Sequence, residues 1–132
     1  MSQENVEIVR GVLAAIADER FDDVAPTLHP EVEIVPSTEF PESEILHGLV
    51  GFRRWGSRYP GTFADYEFTA TGFWDTGDQV VVALHDRVRL APGGAQIEDH
   101  FAHLWTIRDG IVVRIQVFES SAEALEAAGL RE

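Results

Sequence analysis

Residues 101–118 read FAHLWTIRDGIVVRIQVF, and the period of this stretch decides the fold. Phe101, His103, Trp105 and Ile107 alternate with smaller or more polar neighbours, as do Ile111, Val113, Ile115 and Val117 after Arg108-Asp109-Gly110. Alternation on both sides of a glycine-containing turn predicts two antiparallel strands with one apolar face. A three-residue Arg-Asp-Gly turn with a glycine bulge keeps Ile111, Val113, Ile115 and Val117 on the face of His103. A two-residue turn would send Arg114 and Gln116 inward instead. The expected result is an apolar wall with one imidazole set into it.

The same logic extends upstream. Residues 79–90 carry Val80, Val82, Leu84, Val88 and Leu90 on one face, interrupted by Asp86. Residues 96–107 present Ile97, Asp99, Phe101, His103, Trp105 and Ile107, which leaves His85 and His100 pointing outward. Glycine tolerates the left-handed backbone of tight hairpins, so Gly93-Gly94 is the expected tip. That register sets Leu84 opposite His103, Asp86 opposite Phe101, Val88 opposite Asp99 and, on the outer face, Arg89 across from Glu98. A slip of one residue would turn Arg87 and Arg89 into the interior. Residues 65–74 alternate as well, with Tyr66, Phe68, Ala70 and Trp74 sharing a face.

Helical spacing governs the N-terminal third. Val6, Val9, Leu13 and Ile16 recur at three- and four-residue steps and predict a helix over 3–18 with Ser2 as cap. A shorter helix follows with Val24, Ala25 and Leu28 inward, ending at His29-Pro30 because a residue before proline leaves the helical region. A short strand over 32–35, a proline-bearing loop over 36–47 and a helix from Gly48 carrying Phe52, Trp55 and Tyr59 on one face complete the half. Pro60-Gly61 ends that helix. Ser120 and Glu123 have capping-box spacing for a terminal helix to Ala128, with Gly129 as its C-cap. Helices followed by long antiparallel strands predict one α+β domain over 1–132: a cone-shaped, curved antiparallel sheet wrapped around the N-terminal helices and enclosing an apolar pocket.

Composition narrows the partners. Ten Lys and Arg stand against 23 Asp and Glu, a net charge of −13, which disfavours nucleic acid and anionic membrane surfaces. No apolar run approaches the ~20 residues of a membrane span. The chain has no cysteine, hence no disulfide framework and no thiolate metal site. Cytoplasmic residence is the default expectation. No cofactor or metal is expected: Asp99 and His103 lie about 13 Å apart along one strand, and there is no glycine-rich phosphate loop before a helix.

In this register Asp86 and His103 are diagonal neighbours across two strands, with Asp99 on the same face. A carboxylate beside an imidazole fixes the ring's tautomer and raises its basicity, so His103, Asp86 and Asp99 are the candidate acid–base residues. The candidate ligand-binding lining is Leu13, Trp55, Tyr59, Tyr66, Phe68, Leu84, Phe101, Trp105, Ile115 and Val117.

Taken together, EIVRGVLAAIADERFDDVAPTLHPEVEI, HGLVGFRRW, GDQVVVAL and FAHLWTIRDGIVVRI resemble the SnoaL-like branch of the nuclear-transport-factor-2-like superfamily, and the likeness runs through the terminal SAEALEAAGL. The resemblance implies a cone-shaped α+β fold with a deep, mostly apolar pocket, commonly homodimeric. Ketosteroid isomerase and polyketide cyclases share this fold. By that resemblance His103 stands where the isomerase has an oxyanion-hole aspartate and the cyclase a histidine. The isomerase's base and tyrosine fall near Ile34 and Leu13, and the cyclase's acid–base aspartate near Val117. Aliphatic side chains cannot ionise, so neither inherited reaction fits these positions.

Three readings stand. One is a protein binding a small hydrophobic molecule. Another is an isomerase, cyclase, lyase or hydrolase using His103 with Asp86 or Asp99. The third is a dimerisation scaffold using Ala102, Leu104, Val112 and Phe118 on the outer face of the sheet, the face through which a homodimer is expected.

Overall fold

The computed structural model describes residues 2–37, 44–57, 65–89 and 93–130. In chain order these form α1 (Ser2–Ala17), a 3-10 helix (Phe21–Thr27), β1 (Leu28–Val35), β2 (Leu46–His47), α2 (Gly48–Gly56), β3 (Asp65–Asp75), β4 (Gln79–Arg89), β5 (Gln96–Arg108), β6 (Ile111–Phe118) and α3 (Ser121–Ala127). The fold is α+β. Tyr59, Pro60-Gly61 and residues 38–43 of the proline-bearing loop lie outside the described residues.

One open, curved sheet has the strand order β2-β1-β6-β5-β4-β3. The four long strands β3 to β6 form the expected antiparallel meander. β1 joins it in parallel, beside β6, and carries β2 on its other edge. The apolar stripe of α1 closes the inner face: Val6, Val9, Val12, Leu13 and Ile16 are buried against Phe52 and Trp55 of α2 and against Val82, Leu84, Trp105, Ile107 and Ile115 of the sheet. Residues spaced three and four apart share one helix face, which is why this stripe packs as a unit.

The outer face has a cover of its own. Ala124 and Leu125 of α3 pack on Val81, Ala102 and Leu104, with Phe118 at the margin. The Ser120 hydroxyl accepts from the Glu123 backbone N–H at 3.2 Å and starts this helix. Ala102, Leu104 and Phe118, expected to be available to a second subunit, are therefore covered by the chain itself, and Val112 belongs to the main core.

Three registers differ from the expected ones. In the β4–β5 hairpin Leu84 faces Phe101, Val82 faces His103, Asp86 faces Asp99 and Arg89 faces Gln96. This is a two-residue shift from the expected pairing. It preserves every face, so the alternation cannot detect it, but it separates Asp86 from His103. The Arg89–Glu98 pair does not form: Arg89 donates to the Gly94 carbonyl at 3.1 Å, and Glu98 lies across from Arg87.

The β5–β6 turn has two residues, not three. Asp109 and Gly110 have φ of 52° and 77°, and Arg108 pairs with Ile111. Two successive positive φ values match the twist of a tight hairpin. A bulge then absorbs the extra residue: Ile107 pairs with Val112 and Thr106 with Arg114. Parity flips at Val113, so Val112 is the inward residue before it, while Ile115 stays inward beyond it. Ile111 and Val113, expected inward, are only half-buried.

A second bulge sits between Ala70 and Gly72 of β3. It turns Phe73 toward the core and leaves Trp74 exposed, reversing the expected orientation of Trp74. A bulge adds one residue on one strand and bends it, so two of them curve the sheet around α1 and α2.

Candidate functional site

The inner face of β4, β5 and β6 divides into a fully buried floor and a half-buried margin. Leu84, Trp105 and Ile115 are 0–1% exposed, and Leu13 and Trp55 are also buried. These five expected lining residues are core. Tyr66, Phe68, Phe101 and Val117 are half-buried, and the last three pack against the edge of that core. Tyr59 lies outside the described residues.

His103 sits at the boundary between the two zones. It is 1% exposed, and its ring centroid lies 5.3 Å from Trp55, 5.6 Å from Phe101 and 6.0 Å from Trp105. Burial among apolar rings penalises the charged form and pushes the imidazole pKa down to about 3. The Trp105 indole Nε1–H donates to His103 Nδ1 at 3.2 Å. A neutral imidazole has one donor and one acceptor nitrogen, so this partner assigns the remaining proton to Nε2.

Asp86 is a polar member of the half-buried margin. The Tyr66 hydroxyl donates to Asp86 Oδ2 at 2.9 Å. Burial pushes the Asp86 carboxyl above its ordinary value, and Asp99 directly opposite adds like-charge repulsion. The Tyr66 hydrogen bond, His85 and the Asp99 backbone pull the other way. Asp99 is exposed, and its Oδ1 accepts from the His100 backbone N–H at 2.9 Å.

The expected Asp86–His103 pair is thus replaced by two separate groups on one face. Asp86 pairs with Asp99, four residues from His103 on β5, so roughly 13 Å of strand separates the two stations. The pair Leu84–Phe101 lies between them. Raised basicity at His103 does not survive this change, because an indole donor stands where a carboxylate was expected. Trp105 as the imidazole's partner was missed. Its signal was the two-residue spacing that puts both rings on one strand face.

On the outer face the His85 and His100 rings lie 4.8 Å apart with their planes tilted by 38°, and His85 Nε2 meets Glu98 Oε1 at 2.8 Å. A groove of about 700 Å³ on the sheet is lined by charged residues including Glu31, Glu33, Asp78, Arg108 and Arg114. Among the described residues no group of three His, Asp or Glu is arranged to hold a metal ion, and no helix is long and apolar enough to cross a membrane.

The SnoaL-like domain family model matches residues 9–115. No curated protein matches the sequence. TerC, crystallised with polyporic acid, is 23% identical with a TM-score of 0.73, over 93% of this chain and 96% of its own. An NTF2-like protein of unknown function from Burkholderia pseudomallei K96243 is 22% identical with a TM-score of 0.72, over 96% of this chain and 97% of its own. A Mycobacterium tuberculosis LEH-like epoxide hydrolase is 15% identical with a TM-score of 0.68, over 95% of this chain and 89% of its own. At these identities the likeness is one of fold.

Proposed function

The chain belongs to the SnoaL-like domain family, and from that premise we propose that it binds a small, largely apolar molecule at the open end of the sheet. The observation that carries this reading is a buried imidazole bordered by half-buried Phe101, with Phe68, Tyr66 and Val117 also half-buried. A few polar groups set in an apolar concavity are the usual composition of a small-molecule site. The molecule's apolar body would lie against Phe68, Phe101 and Val117. Its polar atoms would meet His103 at the inner end and the Tyr66–Asp86 pair at the outer.

Native mass spectrometry of the protein as purified tests this, together with tryptophan fluorescence on titration with aromatic ketones. Wild type is expected to carry or take up one molecule per chain, and Phe101→Glu to lose it. Equal uptake by Phe101→Glu, or no uptake by wild type, overturns the reading.

A second reading makes the site catalytic. Asp86 is held toward the protonated form beside the more exposed Asp99, and two carboxyls in unequal surroundings are the arrangement of a general acid with a base. In that reading Asp86 donates a proton, Asp99 accepts one and His103 supplies a neutral hydrogen bond. Turnover of an aromatic epoxide or enolisable ketone that is lost in both Asp86→Asn and Asp99→Asn supports it. Turnover indifferent to both removes it.

We also propose a homodimer, moved to the part of the outer face that α3 leaves uncovered, around Trp74 at 37% exposure and the His85–His100 ring pair. A cysteine-free chain of net charge −13 suits cytoplasmic residence.

A further inference from the structure

We infer that His85 and His100 form a two-imidazole chelate for a zinc-class divalent ion, and that the same pair on a second copy of the chain completes the ion's coordination. The bridging half of this inference rests on the homodimer reading of the outer face.

The register sets the pair up. His85 on β4 and His100 on β5 are direct cross-strand partners, and opposed residues on adjacent strands have β-carbons about 4.5–5.5 Å apart. The next outer row is Ala83–Ala102, and Ala102 is buried in the contact with α3. β6 ends at Phe118, opposite that same alanine. The two rings therefore stand one row past the cover that α3 provides. The His85 side chain is 26% exposed and His100 is exposed, so both are within reach of solvent and of another molecule.

The rings already have the spacing of ligands to one ion. Zinc–nitrogen bonds of about 2.0–2.1 Å put the centroid of a ligating imidazole roughly 3 Å from the metal, so two such rings at a tetrahedral angle have centroids about 5 Å apart. His85 and His100 have theirs 4.8 Å apart. Glu98 Oε1 lies 2.8 Å from His85 Nε2. An ionised carboxylate only accepts, so Nε2 carries the proton and Nδ1 of the neutral ring keeps its lone pair. A carboxylate on the far nitrogen is also the usual outer partner of a metal-bound histidine, orienting the ring and raising its basicity. Imidazole nitrogens suit zinc, copper or nickel, whereas calcium and magnesium take oxygen.

One copy supplies two ligands. Among the described residues no third His, Asp or Glu joins them, and a closed zinc site takes four. In a two-fold dimer a surface meets its own image, so a second copy brings the same two imidazoles to the axis. Charge favours that completion. Each copy has a net charge of −13, and a divalent cation held between two of them offsets part of their repulsion. Around the pair, Thr69 is the β3 neighbour of His85, and the row beyond contains Glu67, Arg87 and Glu98. Glu67 and Arg87 pair with each other, which leaves the Glu98 carboxylate to set a negative field at the rings.

The test uses the untagged full chain, stripped with EDTA and titrated with Co(II) and Zn(II) chlorides. Cobalt is expected to saturate at one ion per two chains with the intense visible absorption of tetrahedral coordination, and to be displaced by zinc. His85→Gln and His100→Gln are each expected to abolish that spectrum. In sedimentation equilibrium, half-molar-equivalent zinc is expected to tighten wild-type self-association at least tenfold over EDTA, because an ion that binds only the dimer pulls the equilibrium toward it. In either variant zinc and EDTA are expected to give the same association. No uptake, one ion per chain, an octahedral spectrum, or uptake that survives in both variants overturns the inference, and the wild-type stoichiometry decides this without the variants. Sedimentation separates the two readings. A dimer equally tight in zinc and EDTA leaves the homodimer standing and removes the bridging ion. A single-chain mass in both removes both, and a single-chain mass in EDTA that doubles in zinc upholds the ion as the link between copies.

Discussion

His103 dominates at the residue scale because its protonation is coupled to folding. Its folded pKa of about 3 lies below the ordinary value of 6.5. The unfolded chain therefore binds the proton first as pH falls. The stabilisation is full above pH 6.5 and is lost as pH drops toward 3. Urea midpoints measured between pH 6.5 and 5 should show wild type losing roughly 1.5 kcal/mol more than His103→Gln. Identical slopes for the two proteins would contradict a buried neutral imidazole. Asp86 has the opposite sign. Its folded pKa is raised, so its contribution is present at low pH and declines as the carboxyl ionises. In carbon-detected titrations Tyr66→Phe should raise the Asp86 midpoint, since it removes a hydrogen bond to the carboxylate, and Asp99→Asn should lower it by removing a like charge. Either shift in the reverse direction would show that the pair is not arranged as described.

At the scale of elements the decisive parts are α3 and the two bulges. Leu125 is 2% exposed and fills the contact between α3 and the outer face. Leu125→Ala should cost about 2–4 kcal/mol in chemical unfolding. A loss under about 1 kcal/mol would mean that α3 does not seal that face. Gly110→Ala places a β-carbon at φ of 77° and should cost about 1 kcal/mol, read from the same curves. These elements also show what the sequence could carry. Alternation assigned the inward faces of β4 and β5 correctly at His103, Trp105, Val82 and Leu84, because sidedness depends only on parity. It could not see the two-residue shift that pairs Asp86 with Asp99, because a shift of two leaves parity untouched. The bulges at Thr71 and Val113 were invisible for a related reason. An inserted residue is tolerated when curvature is needed to wrap a helix, and that need arises from α1 and α2, far away in the chain. The resemblance to SnoaL-like proteins supplied the fold, but Ile34 and Leu13 are core side chains here, and Val117 is half-buried against that core. The likeness therefore said little about chemistry.

For the molecule as a whole, charge and connectivity set the behaviour. With 23 acids against ten bases, self-repulsion opposes the compact state, and added salt screens it. The melting temperature should rise by a few degrees between 10 and 150 mM NaCl, and a fall would show that ion pairs such as Glu33–Arg114 outweigh the net repulsion. Sedimentation at neutral pH should give twice the chain mass, and Trp74→Glu should return it to the chain mass. A single-chain mass for wild type removes the homodimer. The parallel seat of β1 beside β6 has one more effect, on the order in which the protein can be made. Residues 28–35 leave the ribosome well before their neighbour at 111–118 is made. Until then the nascent chain holds a solvent-facing strand edge with nothing to pair with. Its window of vulnerability to misassociation and proteolysis therefore spans the synthesis of everything between the two strands, and closes only when β6 slides in between two segments that have been waiting for it.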